Sequence, residues 1–122
     1  MIILVEDDAD QRLALKMALE LAGYPVREAT HGGEALALQR EREASVLITD
    51  IFMPEADGFE TIAAIRREFP QTRIVAVSGG GQRAKRDYLE AATLMGVDAA
   101  LHKPFEIERL LATLRVLRDG AR

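Results

Sequence analysis

Three stretches of the chain are continuously apolar and rich in β-branched residues: Ile2-Ile3-Leu4-Val5, Val46-Leu47-Ile48 and Ile74-Val75-Ala76-Val77. A strand buried on both faces reads this way, because neither side of its pleat meets water and no alternation survives. Val26-Arg27-Glu28-Ala29 is too polar for the middle of a sheet and suits an edge. Ala99-Ala100-Leu101 predicts a short fifth strand.

Between these runs the apolar period changes to that of a helix. Asp8 is the expected N-cap of the first, with Gln11 at capping-box spacing. Leu13, Met17 and Leu21 repeat at i+4 with Ala14 and Ala18 beside them, which predicts the buried face. Gly23 closes the helix and Tyr24-Pro25 turns the chain. Gly32-Gly33 precede a second helix that carries Ala35, Leu36 and Leu38 inward, with Gln39, Arg40 and Arg42 as its polar side. Asp57-Gly58-Phe59-Glu60 predicts another N-cap, followed by Phe59, Ile62, Ile65 and Phe69 at helical spacing and stopped by Pro70. A weaker pattern runs from about Gln82 to Met95, with Leu89, Ala92 and Met95 inward and Gly96 at its end. The last helix is the clearest: Ile107, Leu110, Leu111, Leu114 and Leu117 form one side, and Arg109, Arg115 and Arg118 the other.

Strand and helix thus alternate five times. Right-handed crossovers then give a parallel sheet with helices on both faces. The expected fold is α/β, a flavodoxin-like doubly wound (βα)5 three-layer sandwich with strand order 2-1-3-4-5. This order sets the strands ending at Glu6-Asp7, Asp50 and Ser78 side by side, with the strand leading to Lys103 next to Ser78. Polar residues would converge in one crevice at the carboxyl edge, where open α/β sheets bind ligands.

The length of 122 residues fits one domain, expected over residues 1–122. A formal net charge of -4 speaks against nucleic-acid binding through this surface, since phosphate contacts need clustered cations. With no cysteine, neither a disulfide framework nor a thiolate metal site is possible. No apolar run approaches the roughly 20 residues of a membrane span, so a soluble, cytoplasmic protein with no membrane partner is expected.

Three carboxylates at one edge, Glu6, Asp7 and Asp50, would repel one another and resist ionisation unless a cation joined them. A hard divalent ion such as Mg2+ (Mn2+ would also serve) takes a sparse set of carboxylates plus waters and phosphate oxygens. Beside such an ion a carboxylate can attack phosphorus and form an aspartyl phosphate. The Lys103 ammonium and Ser78 hydroxyl, from the far side, would neutralise and hydrogen-bond the phosphoryl oxygens. Each residue alone also has a plainer explanation: Asp8 as a helix-start acid, Ser78 as a turn residue, Lys103 as a solvated cation. Gly79-Gly80-Gly81 with Lys85 lacks the Gly-Lys-Ser/Thr ending of a phosphate loop. His31 and His102 have no partner at metal spacing and are read as incidental.

Taken together, Val5-Glu6-Asp7-Asp8, Asp50 with Met53-Pro54 and Asp57-Gly58 behind it, Ser78-Gly79 and Lys103-Pro104-Phe105 resemble the receiver domain of two-component response regulators, over essentially the whole chain. The resemblance implies that Asp50 accepts a phosphoryl group from a sensor histidine kinase or phosphotransfer protein in a Mg2+-dependent reaction. It assigns the metal to Glu6, Asp7, Asp50 and the backbone carbonyl of Phe52. It makes Ser78 the switch hydroxyl and Lys103 the reader of the phosphoryl group. It further implies a module that catalyses only its own phosphorylation and dephosphorylation, acts as monomer or weak dimer, and signals to a downstream protein. The output surface would surround the fourth helix, fifth strand and fifth helix. The family often carries an aromatic residue three positions before the lysine; here it is Ala100. Phe52 and Gly80 stand where the family tunes hydrolysis, and neither offers a polar side chain to guide water, so a long-lived phosphorylated state is expected. Haloacid-dehalogenase phosphatases also use an aspartate at a strand end, but they need a second aspartate where this chain has Phe52. The other alternative is a non-phosphorylated or atypically coupled receiver acting as an interaction module.

Overall fold

The computed structural model describes residues 1–51, 58–79, 90, 93 and 95–119. Five parallel strands form one sheet: β1 (Ile2–Val5), β2 (Val26–Ala29), β3 (Val46–Asp50), β4 (Arg73–Ser78) and β5 (Ala99–His102), in the order β2-β1-β3-β4-β5. Four helices are described: α1 (Ala9–Leu21), α2 (Gly32–Glu41), α3 (Gly58–Glu68) and α4 (Ile107–Asp119). The expected Gln82–Met95 helix, the Asp57 cap and Phe52 fall largely or wholly outside the described residues.

The unbroken apolar runs are explained by two cores. Along β1, Ile3 and Val5 face one core and Ile2 and Leu4 the other; along β3, Leu47 opposes Val46 and Ile48. In β4, Ile74 and Ala76 join the first core and Val75 and Val77 the second. Ala35, Ile62 and Ile65 bring α2 and α3 onto the first face. Leu19, Leu110 and Leu114 bring α1 and α4 onto the second. β2 lies at the edge, where its polar residues are paired across exposed surface: Glu28 meets Arg12 and Lys16, and Arg27 meets Glu41.

The Asp8 cap forms as expected, its Oδ1 accepting from the Gln11 backbone N–H at 2.9 Å. Gly23 takes the left-handed conformation at φ 96°, and Tyr24 N donates back to the Leu19 carbonyl to finish α1.

The buried face of α1 differs from expectation. Leu13, Met17 and Leu21 are 54%, 54% and 88% exposed, whereas Leu19 is fully buried and Leu15 packs beside it. Both rows repeat at i+4, so periodicity cannot tell which faces the sheet. With Leu15 and Leu19 packed into the second core, Arg12 and Lys16 come to pair with Glu28 on β2.

Two polar assignments on α2 also change. Gln39 is not on the solvent side: it is 1% exposed, donates to Thr72 Oγ1 at 2.6 Å and accepts from Ala44 N at 2.8 Å. This amide satisfies the backbone where the chain turns from α2 into β3. His31 is not incidental: it is the N-cap of α2, its Nδ1 accepting from Glu34 N at 3.2 Å while Glu34 accepts from Thr30 N. With His31 as N-cap the helix begins at Gly32 rather than after the glycine pair, and Gly32 lies against α3. A Cβ on Gly32 would lie 1.7 Å from Thr61 Oγ1.

Candidate functional site

β1 and β3 pair in register from Ile2↔Val46 to Val5↔Thr49, so the residues that follow Val5 and the end of β3 share one edge. Asp50 is the last residue of β3 and is 6% exposed; Glu6 is 2% exposed. One oxygen from each of Glu6, Asp7 and Asp50 lies within 4.8 Å of the others, with Asp7 the exposed member. Arg12 donates to the Glu6 backbone carbonyl at 2.9 Å, and Asp8 N donates to Glu6 Oε2 at 3.2 Å. The buried carboxylate is therefore anchored at both its main chain and its side chain.

Lys103 enters from the end of β5, next to a cis Lys103–Pro104 peptide. Its backbone N–H donates to the Ser78 carbonyl at 2.8 Å, which ties the β5 exit to that of β4. Its Nζ donates to Glu6 Oε1 at 2.6 Å, to Asp50 Oδ2 at 2.8 Å and to Gln11 Oε1 at 2.6 Å. The ammonium thus stands among the carboxylates. Burial disfavours its charge, but the hydrogen bonds it donates to Asp50 and Glu6 outweigh burial and raise its pKa. Burial of Glu6 wins over the Lys103 and Asp8 hydrogen bonds, and its carboxyl is pushed above the ordinary value.

Glu6, Asp7, Asp50 and Lys103 are thus brought together. Ser78 is fully buried at the same edge, but its hydroxyl donates to the Gly79 carbonyl at 3.2 Å. Phe52 and Gly80 lie outside the described residues. Sequence reasoning missed Gln11 and Arg12 as parts of the site. Gln11 was legible only as a capping-box residue, and that backbone donor at Asp8 is taken by Glu6 instead. Ala100 is half-buried and lines an open cleft of about 360 Å³ with His102, Pro104, Phe105, Glu106 and Arg109.

The donor set suits a hard divalent cation. It is made of carboxylate oxygens, two of them on buried residues, spaced closely enough to share one ion. No helix among the described residues is long and apolar enough to cross a membrane.

Residues 2–115 match the sequence model of the response regulator receiver domain. The chain is 33% identical over 114 residues to the chemotaxis protein CheY of Thermotoga maritima, covering 93% of this chain and 92% of that protein. It is 34% identical over 120 residues to the sensor kinase CckA of Brucella abortus, covering 97% of this chain but only 12% of the kinase. Among solved structures, the Vibrio cholerae chemotaxis response regulator CheY4 superposes with a TM-score of 0.81 at 32% identity, covering 95% of this chain and 96% of that one. The receiver domain of NtrX from Brucella abortus superposes with a TM-score of 0.92 at 24% identity, covering 99% and 100%, a likeness of fold.

Proposed function

The chain belongs to the response regulator receiver domain family, and from that premise we propose that Asp50 is the phosphoacceptor of a two-component phosphorelay. The observation that carries this reading is the 2.8 Å contact between Lys103 Nζ and Asp50 Oδ2, inside a cluster that also holds Glu6 and Asp7. A carboxylate oxygen of Asp50 attacks phosphorus, the bond from phosphorus to the donor's imidazole nitrogen breaks, and its electron pair returns to the ring. Lys103 neutralises charge on the transferred group, and Ser78 supplies a hydroxyl once its bond to Gly79 is released. Glu6, Asp7 and Asp50, with the Phe52 carbonyl, would hold Mg2+, which supplies charge neutralisation at the phosphoryl oxygens when bound. This chemistry is limited to the module's own phosphorylation and dephosphorylation.

The phosphodonor is a sensor histidine kinase or phosphotransfer protein. The exposed Leu13, Met17 and Leu21 row gives such a partner an apolar surface on the helix that follows the acidic cluster. Because the chain spans about an eighth of CckA, a role inside a longer kinase is as compatible with this chemistry as one in a free regulator.

A second reading, an atypically coupled receiver, is favoured by one feature. Ala100 leaves an open cleft where the family often carries an aromatic switch, so output would run through backbone movement.

The deciding experiment treats parent and Asp50→Asn with a small acyl phosphate and Mg2+ and reads intact mass. The parent should gain one phosphoryl group and the variant none, with the variant's stability level or raised because one charge leaves a crowded cluster. A variant that gains the mass at the parent's rate places the acceptor elsewhere.

A further inference from the structure

An ammonium has three N–H donors and no acceptor. In Lys103 each is engaged: by Glu6 Oε1 at 2.6 Å, by Asp50 Oδ2 at 2.8 Å and by Gln11 Oε1 at 2.6 Å. The two carboxylates are buried at adjacent strand ends. The third acceptor is different in kind: a neutral carboxamide on an exposed position of α1.

We propose that Gln11 is a positioning residue that occupies the third N–H of Lys103 in the resting protein and competes for it with the incoming phosphoryl oxygen. In this way Gln11 limits how fast Asp50 is phosphorylated. The inference rests on the phosphoacceptor reading of Asp50.

Three observations support it. Gln11 is the third residue of α1, where a side chain of its type can reach back to the cap's N–H. That N–H, at Asp8, is accepted by Glu6 Oε2, so the Gln11 amide is free to turn toward Lys103 without loss to the cap. An ammonium only donates, so the amide must present its oxygen, which fixes its orientation. Gln11, Ala14, Gly79, Lys103 and Pro104 also line an open groove of about 550 Å³, giving the amide somewhere to swing when displaced. A bond to a neutral amide is weaker than one to a carboxylate, so among the three it is the one a charged phosphoryl oxygen replaces.

The test compares parent, Gln11→Leu and Gln11→Glu under a small acyl phosphate at saturating Mg2+, with rates read by intact mass and folding checked by thermal melts. Gln11→Leu frees the N–H and should accept about threefold to tenfold faster. Gln11→Glu seats a charged competitor and should be slower than the parent by at least a similar factor. A second readout needs no phosphorylation: the Lys103 Nζ cross-peak in a proton–nitrogen spectrum should be protected from exchange in the parent and weakened in Gln11→Leu. Equal rates, a slower Gln11→Leu, or an unchanged cross-peak overturns the role of Gln11 while leaving Asp50 as acceptor. A parent that gains no phosphoryl group overturns the reading of Asp50, and this inference with it.

Discussion

Lys103 and Glu6, ninety-seven positions apart, are joined by a 2.6 Å hydrogen bond between the ammonium and a carboxylate that is almost wholly buried. The lysine thereby supplies the positive charge that a crowded acidic edge requires. Replacing it by methionine keeps the apolar stem but leaves Glu6 and Asp50 without that charge. In metal-free buffer, Lys103→Met should lose about 1–3 kcal/mol in denaturant unfolding. Adding Mg2+ should then restore more stability to the variant than it adds to the parent. Equal gains in both would show that lysine and metal do not serve the same carboxylates.

Asp7 is the exposed member of the acidic cluster, so its role is separable from folding. Asp7→Ala should abolish the metal dependence of phosphorylation while stability moves by no more than about 0.5 kcal/mol. Identical Mg2+ titrations for parent and variant would defeat the metal assignment.

The raised pKa of Glu6 has a defined sign in stability. Burial makes the folded protein hold this proton more tightly than the unfolded chain does, so Glu6 favours folding most below its ordinary value of 4.5. That contribution is lost as pH rises through the higher folded value. In metal-free buffer, the stability of the parent minus that of Glu6→Gln should therefore fall as pH is raised from 4.5 toward neutrality. A difference that stays flat or rises across that window means the Lys103 hydrogen bond outweighs burial.

Away from the site, Gly32 is held by close approach alone. The nearest atom to an added Cβ is Thr61 Oγ1 at 1.7 Å, with Thr61 Cβ at 3.0 Å. Gly32→Ala should cost about 2–3 kcal/mol, because α2 and α3 must separate or Thr61 must leave its rotamer. Adding Thr61→Ala should recover part of the loss but not all, since the Cβ contact remains tight. Full stability in the single variant, measured by denaturant unfolding, would count against helix contact as the reason for glycine here.

The strand pattern and the carboxylates at the strand ends were legible in the sequence because both depend on local facts. A strand with helices on both sides must be apolar at every position, and an acid that ends such a run must lie at the sheet's edge. The strand order, expected as the common order of five-stranded doubly wound sheets, is the one observed. What the sequence left undetermined is what depends on rotation and reach. Leu13-Met17-Leu21 and Leu15-Leu19 have the same spacing, and it is the packing of α1 on the sheet and the last helix that puts the second row in the core. Gln39 resembles a surface residue until Thr72, thirty-three positions on, arrives to share its burial. Gln11 could be read only as half of a cap. Its contact with a lysine ninety-two positions away exists because the parallel sheet brings the end of β5 within reach of the start of α1. Local periodicity carries no record of such pairings; the packed sheet decides them.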